Sequence, residues 1–264
     1  MAWARRRGAS SSCPQAPNEE KYDMTYNWMA ALAFLATLIV LTWSARFLAF
    51  KVPALQRMRQ LNRGADREKL SRNRYRNAVK VNNRSGLITN VIFYILILPF
   101  CVSLESRPFW RYVVDIVAVL AVFDFFYYLT HRYLFHGRGP LVKVHSLHHQ
   151  AHTPTYVDAL YVHPIETVMG LSLFLLSIPL IAVLTGAPLN AFSMAVATLI
   201  FTQLNIINHT YVNLPGFPFK TLTYITQVHA AHHVNMDSGN YATLSMIYDR
   251  FFGTYEQPVG RATP

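Results

Sequence analysis

Five apolar runs of about twenty residues punctuate the chain: Trp28 to Phe50, interrupted only by Arg46 near its end, Leu87 to Leu104, Phe109 to Thr130, Thr167 to Gly186 and Leu189 to Ile207. About 20 apolar residues in a helix cross a bilayer core, so each run predicts a transmembrane helix. A short turn from Glu105 to Pro108 joins the second run to the third, and Ala187-Pro188 joins the fourth to the fifth. The pattern therefore predicts two helical hairpins behind one leading helix. The leading run is the clearest, because Met29 to Ser44 carries no charge at all.

Composition agrees with the pattern. Hydrophobic residues make up 52% of the 264 residues and charged residues 14%, outside the usual soluble balance. The net charge of +11 is unevenly spread: eleven Lys and Arg fall between Lys51 and Arg84, against only Asp66 and Glu68. By the positive-inside rule that loop is cytoplasmic. Tracing the second helix outward and the third inward brings residue 131 back to the cytoplasmic side, and the second hairpin leaves and returns to that side before residue 209. The excess charge reads as topology and attraction to anionic lipid headgroups, with no nucleic-acid partner expected. Cys13 and Cys101 are too few and too far apart for a disulfide framework or a paired-cysteine metal motif.

All eleven histidines lie between positions 131 and 233. His131 and His136 form an H-x-x-x-x-H pair. His145, His148 and His149 form one H-x-x-H-H triplet, and His229, His232 and His233 form a second. On a helix, positions i, i+3 and i+4 share a face, so each triplet is expected to turn three rings one way, able to converge on metal. Eight imidazoles exceed the three or four of an ordinary zinc site and argue for two metal ions. Imidazole serves iron, zinc and copper alike, so the ligand type does not name the metal. Paired Glu-x-x-His motifs and the H-E-x-x-H of zinc proteases are both absent from the sequence.

The order H-R-Y-L-F-H, H-S-L-H-H, Y-V-H-P-I-E (161 to 166), N-H-T (208 to 210), H-A-A-H-H, Asn240-Tyr241 and D-R-F-F-G-T-Y (249 to 255) resembles the fatty acid hydroxylase/sterol desaturase superfamily of membrane di-iron oxygenases. The resemblance covers roughly residues 90 to 256. It implies two iron ions at the cytoplasmic membrane face, with O2 as co-substrate, attacking an unactivated C–H bond of a sterol or fatty-acyl lipid by hydroxylation or desaturation. The implied ligands are His131, His136, His145, His148, His149, His229, His232 and His233, with His209 as a ninth. Relatives often carry a histidine four positions before His209, where this chain has Asn205, itself a lesser candidate ligand, directly or through water. His163, which precedes a proline, and His152 are lesser candidates. Asp124, two turns before His131 on the same helix face, is expected to support the rings, as are Asp158, Glu166 and Asp237. Asp249 is a further candidate for ring support or for docking an electron donor.

The expected protein is thus all-α and integral to the membrane, with about five transmembrane helices beneath a cytoplasmic histidine-rich helical cap. A disordered tail occupies 1–24, the leading helix and basic loop 25–86, the catalytic domain 87–256 and a short tail 257–264. It would be multi-pass, in a bacterial inner membrane or the endoplasmic reticulum. Its sequence has no dinucleotide, flavin or haem-binding motif, so electrons are expected from a separate cytochrome-, ferredoxin- or reductase-type donor. Two other classes compete. A membrane haem electron carrier would place its histidines deep within spans, and a metal transporter would place histidines or acids mid-span, where only Asp115 and Asp124 stand.

Overall fold

The computed structural model describes residues 25–261 and 263, so the tail expected over 1–24 lies outside the described residues. The fold is all-α. Helix α1 (Trp28–Ala49) starts where the Asn27 side chain accepts the Ala30 amide at 2.9 Å, and α2 (Pro53–Ser71) opens on a proline, whose missing N–H costs nothing in a first turn. Then come α3 (Asn73–Leu96), the single turn α4 (Leu98–Cys101), α5 (Phe109–Thr130) with a π-helical turn at His131–Phe135, and α6 (Leu141–His145). Helix α7 (Pro164–Thr185) stops at Gly186, whose φ of 65° is the left-handed conformation that glycine adopts without strain. The Asn190 side chain caps α8 (Ala191–His209), and α9 (Lys220–His232) and α10 (Ile247–Phe251) complete the chain.

Four helical stretches are long and apolar enough to cross a membrane: Trp28–Ala49, Phe109–Phe135, Pro164–Thr185 and Ala191–His209. The expected span Leu87 to Leu104 is not one helix. Helix α3 begins fourteen residues earlier, in polar sequence, and ends at Leu96, because Pro99 cannot continue the hydrogen-bond ladder; α4 and the two-residue strand β1 (Val102–Ser103) finish the apolar run. Even so, α3 lies along α7, and the five long helices stand side by side in the order α1, α8, α5, α7, α3. Phe174 of α7 stacks on Phe201 of α8 at 4.1 Å, and Phe123 of α5 meets both rings edge-on at 5.7 and 4.9 Å, which locks the centre of the bundle. Outward faces stay apolar, with Trp43 75% and Leu184 70% exposed, as a lipid-facing surface requires.

Each end of the bundle is tied differently. At one end the two hairpin turns meet: β1 pairs in parallel with β2 (Leu189–Asn190), and Asn190 donates to the Glu105 carbonyl at 2.8 Å. At the other end α2 packs under the histidine-bearing loops. Asn62 exchanges hydrogen bonds with the Tyr211 backbone, Asp66 accepts the Val157 amide at 3.1 Å, and Lys69 pairs with Asp158. The basic segment and the histidines therefore share one end. The segment expected as a short tail folds back, with Arg261 donating to the carbonyls of Pro154 and Thr210.

Candidate metal centre

Nine histidines gather in two adjoining groups at that end. One holds His131, His136, His145, His149 and His232; the other holds His148, His209, His229 and His233. Within each group, one ring nitrogen per residue lies within 4.8 Å of the others. His145, His232 and His233 are fully buried.

Neither triplet falls within one group. His145 and His149 enter the first group while His148 enters the second, and His229 and His233 enter the second while His232 enters the first. Each H-x-x-H-H thus gives its i, i+4 pair to one group and its i+3 ring to the other. The expectation of three rings converging fails because i+3 lies about 60° short of a full turn and i+4 about 40° beyond it, so the rings diverge between two centres. The first triplet is also not one helix: α6 ends at His145, and His148–Gln150 is a separate 3₁₀ turn. His131 and His136 share the first group because the π turn closes from the His136 amide to the His131 carbonyl at 3.0 Å, which brings i and i+5 round to one face.

Ring orientation is set from behind. The Nδ1–H of His131 donates to the Tyr241 carbonyl at 2.7 Å, that of His136 to Met236 at 2.7 Å, that of His232 to Gly239 at 2.7 Å and that of His209 to Asn205 at 2.9 Å. His145 Nδ1 donates to Glu166 Oε1 at 2.8 Å. Committing Nδ1 as donor leaves Nε2 as a bare lone pair. Yet His131 and His145, both committed at Nδ1, face each other through Nε2 atoms 3.0 Å apart. Two lone pairs at that separation repel unless a cation lies against both. Metal–nitrogen bonds of about 2.1 Å at right angles put their nitrogens about 3.0 Å apart, so the donor set fits metal ions.

Burial also keeps these rings neutral, the state a metal needs. It lowers His145 to about 3; burial, then His145, lowers His136 to about 4; burial lowers His148 to about 4. Burial holds His229, His232 and His233 well below the usual imidazole value. The His145–Glu166 contact is therefore a hydrogen bond from a neutral ring.

The remaining candidates lie elsewhere. His152 is exposed, and His163 caps α7, its Nδ1 accepting the Ile165 amide at 3.2 Å. Asn205 offers His209 its main-chain carbonyl. Asp124 touches no ring; it accepts the amides of Thr243, Leu244 and Ser245, and so anchors the loop behind Tyr241. Asp249 accepts the Tyr241 and Ala242 amides at 2.8 Å, Asp158 is engaged by Lys69 and Thr155, and Asp237 is exposed. Sequence reasoning missed Gly239, where an added Cβ would stand 2.0 Å from the Thr254 carbonyl, and the role of Asn240, at φ 61°, whose side-chain amide donates to the Val228 and Glu256 carbonyls. A glycine beside a turn-favouring asparagine was the available signal.

A cavity of about 300 Å³ touches both groups, at His131 and at His148, His209 and His229, and runs between α3, α5, α7 and α8 past Phe123, Tyr127 and Leu171.

Residues 116–254 match the family described as Fatty acid hydroxylase. The chain is 30% identical over 155 residues to methylsterol monooxygenase 1 of Rattus norvegicus, covering 57% of this chain and 50% of that protein. It is 32% identical over 152 residues to the very-long-chain aldehyde decarbonylase GL1-8 of Oryza sativa subsp. indica, covering 56% of this chain and 54% of that one. The chain spans about half the length of the curated relatives it matches. No solved structure matches.

Proposed function

The chain belongs to the fatty acid hydroxylase family, and we propose that it is a multi-pass membrane oxygenase that uses two irons, O2 and two external electrons to hydroxylate or desaturate a sterol or fatty-acyl lipid. The observation that carries this reading is the pair of adjoining histidine groups beneath one cavity that touches both. His131, His136, His145, His149 and His232 would hold one iron, and His148, His209, His229 and His233 the other. Bound iron supplies O2 activation and cleavage of an unactivated C–H bond.

The chain's own residues do the rest. Main-chain carbonyls and Glu166 fix the rings of His131, His136, His145, His209 and His232, so that part of the ligand geometry exists before metal arrives. Phe123, Tyr127 and Leu171 give the cavity an apolar wall that would hold a hydrocarbon against the histidines, beside polar lining from Asn82, Asn90 and Glu166. The relatives' names differ in substrate, a methylsterol in one and a very-long-chain aldehyde in the other, which leaves sterol and fatty-acyl lipids as the proposed class. Residues 87–256 would form the catalytic domain, facing the cytoplasm together with basic α2. A separate cytochrome-, ferredoxin- or reductase-type donor would supply the electrons.

Incubating membranes containing the protein with a reductase system under 18O2 and profiling lipids by mass spectrometry tests this. A sterol or acyl lipid gaining one 18O, or losing two hydrogens, is expected, and it should vanish in His148→Ala and His232→Ala. A product that persists undiminished in both variants overturns the assignment.

A further inference from the structure

A second cavity, of about 1060 Å³, touches none of the nine histidines. It lies between the end of α1, α2, the 156–160 turn and the last turns of α8, on an apolar floor that includes Phe50, Leu55, Val79 and Ile206. Arg46, Arg59, Arg63 and Arg67 rim it. Arg59, Arg63 and Arg67 stand at i, i+4 and i+8 on one face of α2, a spacing at which like charges repel. Among the described residues none of the four makes an ion pair. Asp66, the acid beside them, is committed to the Val157 amide. Arg59 sits 4.0 Å over the Phe50 ring, and its pKa is lowered by burial first and then by Arg63 and Arg46. Crowded cations above an apolar floor complement an amphiphile with an anionic head. Arg46 closes an apolar helix whose Trp43 and Phe47 face outward, so the cleft lies where bilayer hydrocarbon meets headgroups.

We propose that this cleft binds one anionic phospholipid from the bilayer, its phosphate held by Arg59 and Arg63 and an acyl chain lying on the floor formed by α1 and α8. Leu160 lines both this cleft and the cavity that touches the histidines, so the bound chain lies one side chain away from that cavity without entering it. The proposal stands apart from the metal chemistry.

Native mass spectrometry of the full chain in detergent, titrated with phosphatidylglycerol or with phosphatidylcholine of the same acyl chains, tests it. One phosphatidylglycerol per chain is expected, bound at least about ten-fold more tightly than phosphatidylcholine, with R59Q/R63Q weakening it about thirty-fold. If that double variant loses helical circular dichroism, R59Q alone carries the test with about a five-fold loss. Ala49→Trp, which fills the cleft without removing charge, should also weaken binding. Equal affinity for the two lipids, unchanged binding in the arginine variants or in Ala49→Trp, or displacement by glycerol phosphate as effective as by the lipid would each overturn the proposal, the last by revealing a plain anion site.

Discussion

Glu166 is the one carboxylate among the described residues that reaches a histidine ring. Nothing in the sequence ranks it above Asp124, Asp158 and Asp237, which bind loop amides, a lysine or solvent instead. The other ring partners are main-chain carbonyls, and a carbonyl carries no residue-type signature, so Met236, Gly239 and Tyr241 were illegible in that role. The nine histidines themselves were legible because imidazoles at helical spacing have few other reasons to recur. Replacing Glu166 by Ala leaves the His145 Nδ1–H without its acceptor, and metal affinity should fall about 10–100-fold. Chelator competition measures this, and an unchanged affinity would show that Glu166 does not orient the ring.

Helices decide which ring goes where. A strict α-helical reading turns the three rings of each triplet one way; the 3₁₀ turn at His148–Gln150, the π turn after α5 and the divergence of i+3 from i+4 instead interleave the groups. Short departures from α geometry depend on tertiary packing, which hydrophobic periodicity does not encode. The same limit hid the break of the second apolar run, where α3 starts early and Pro99 ends the ladder. Helix α2 holds the histidine end through Lys69, whose partner Asp158 is fully buried and whose own side chain is 19% exposed. Lys69→Ala strands that carboxyl and should cost about 3 kcal/mol. A thermal midpoint within a degree of the parent would contradict the clamp, and Lys69→Ala/Asp158→Asn should recover part of the loss.

For the whole molecule, the apolar runs gave most of the long helices but not their order: the partners of each expected hairpin, α3 with α5 and α7 with α8, are not neighbours in the row, because each is separated by a helix of the other hairpin, while the basic segment lies at the histidine end, as the charge pattern leads one to expect. Gathering so many neutral imidazoles has a pH consequence for the metal-free protein. His136, His145 and His148 are held at about 4, 3 and 4 when folded, while unfolded imidazoles take up protons near about 6.5. Below that value the unfolded chain binds more protons than the native one, so stability is complete above it and is lost as pH falls toward 4. The thermal midpoint of the metal-free protein should hold steady above about pH 7 and drop by several degrees by about pH 5; a midpoint that rises on acidification would contradict burial of neutral rings. Five and four histidines are expected to form two metal sites. Elemental analysis of the gently purified full chain from iron-replete cells tests this most directly: two irons per chain are expected, and a single metal ion per chain, or none, would contradict it.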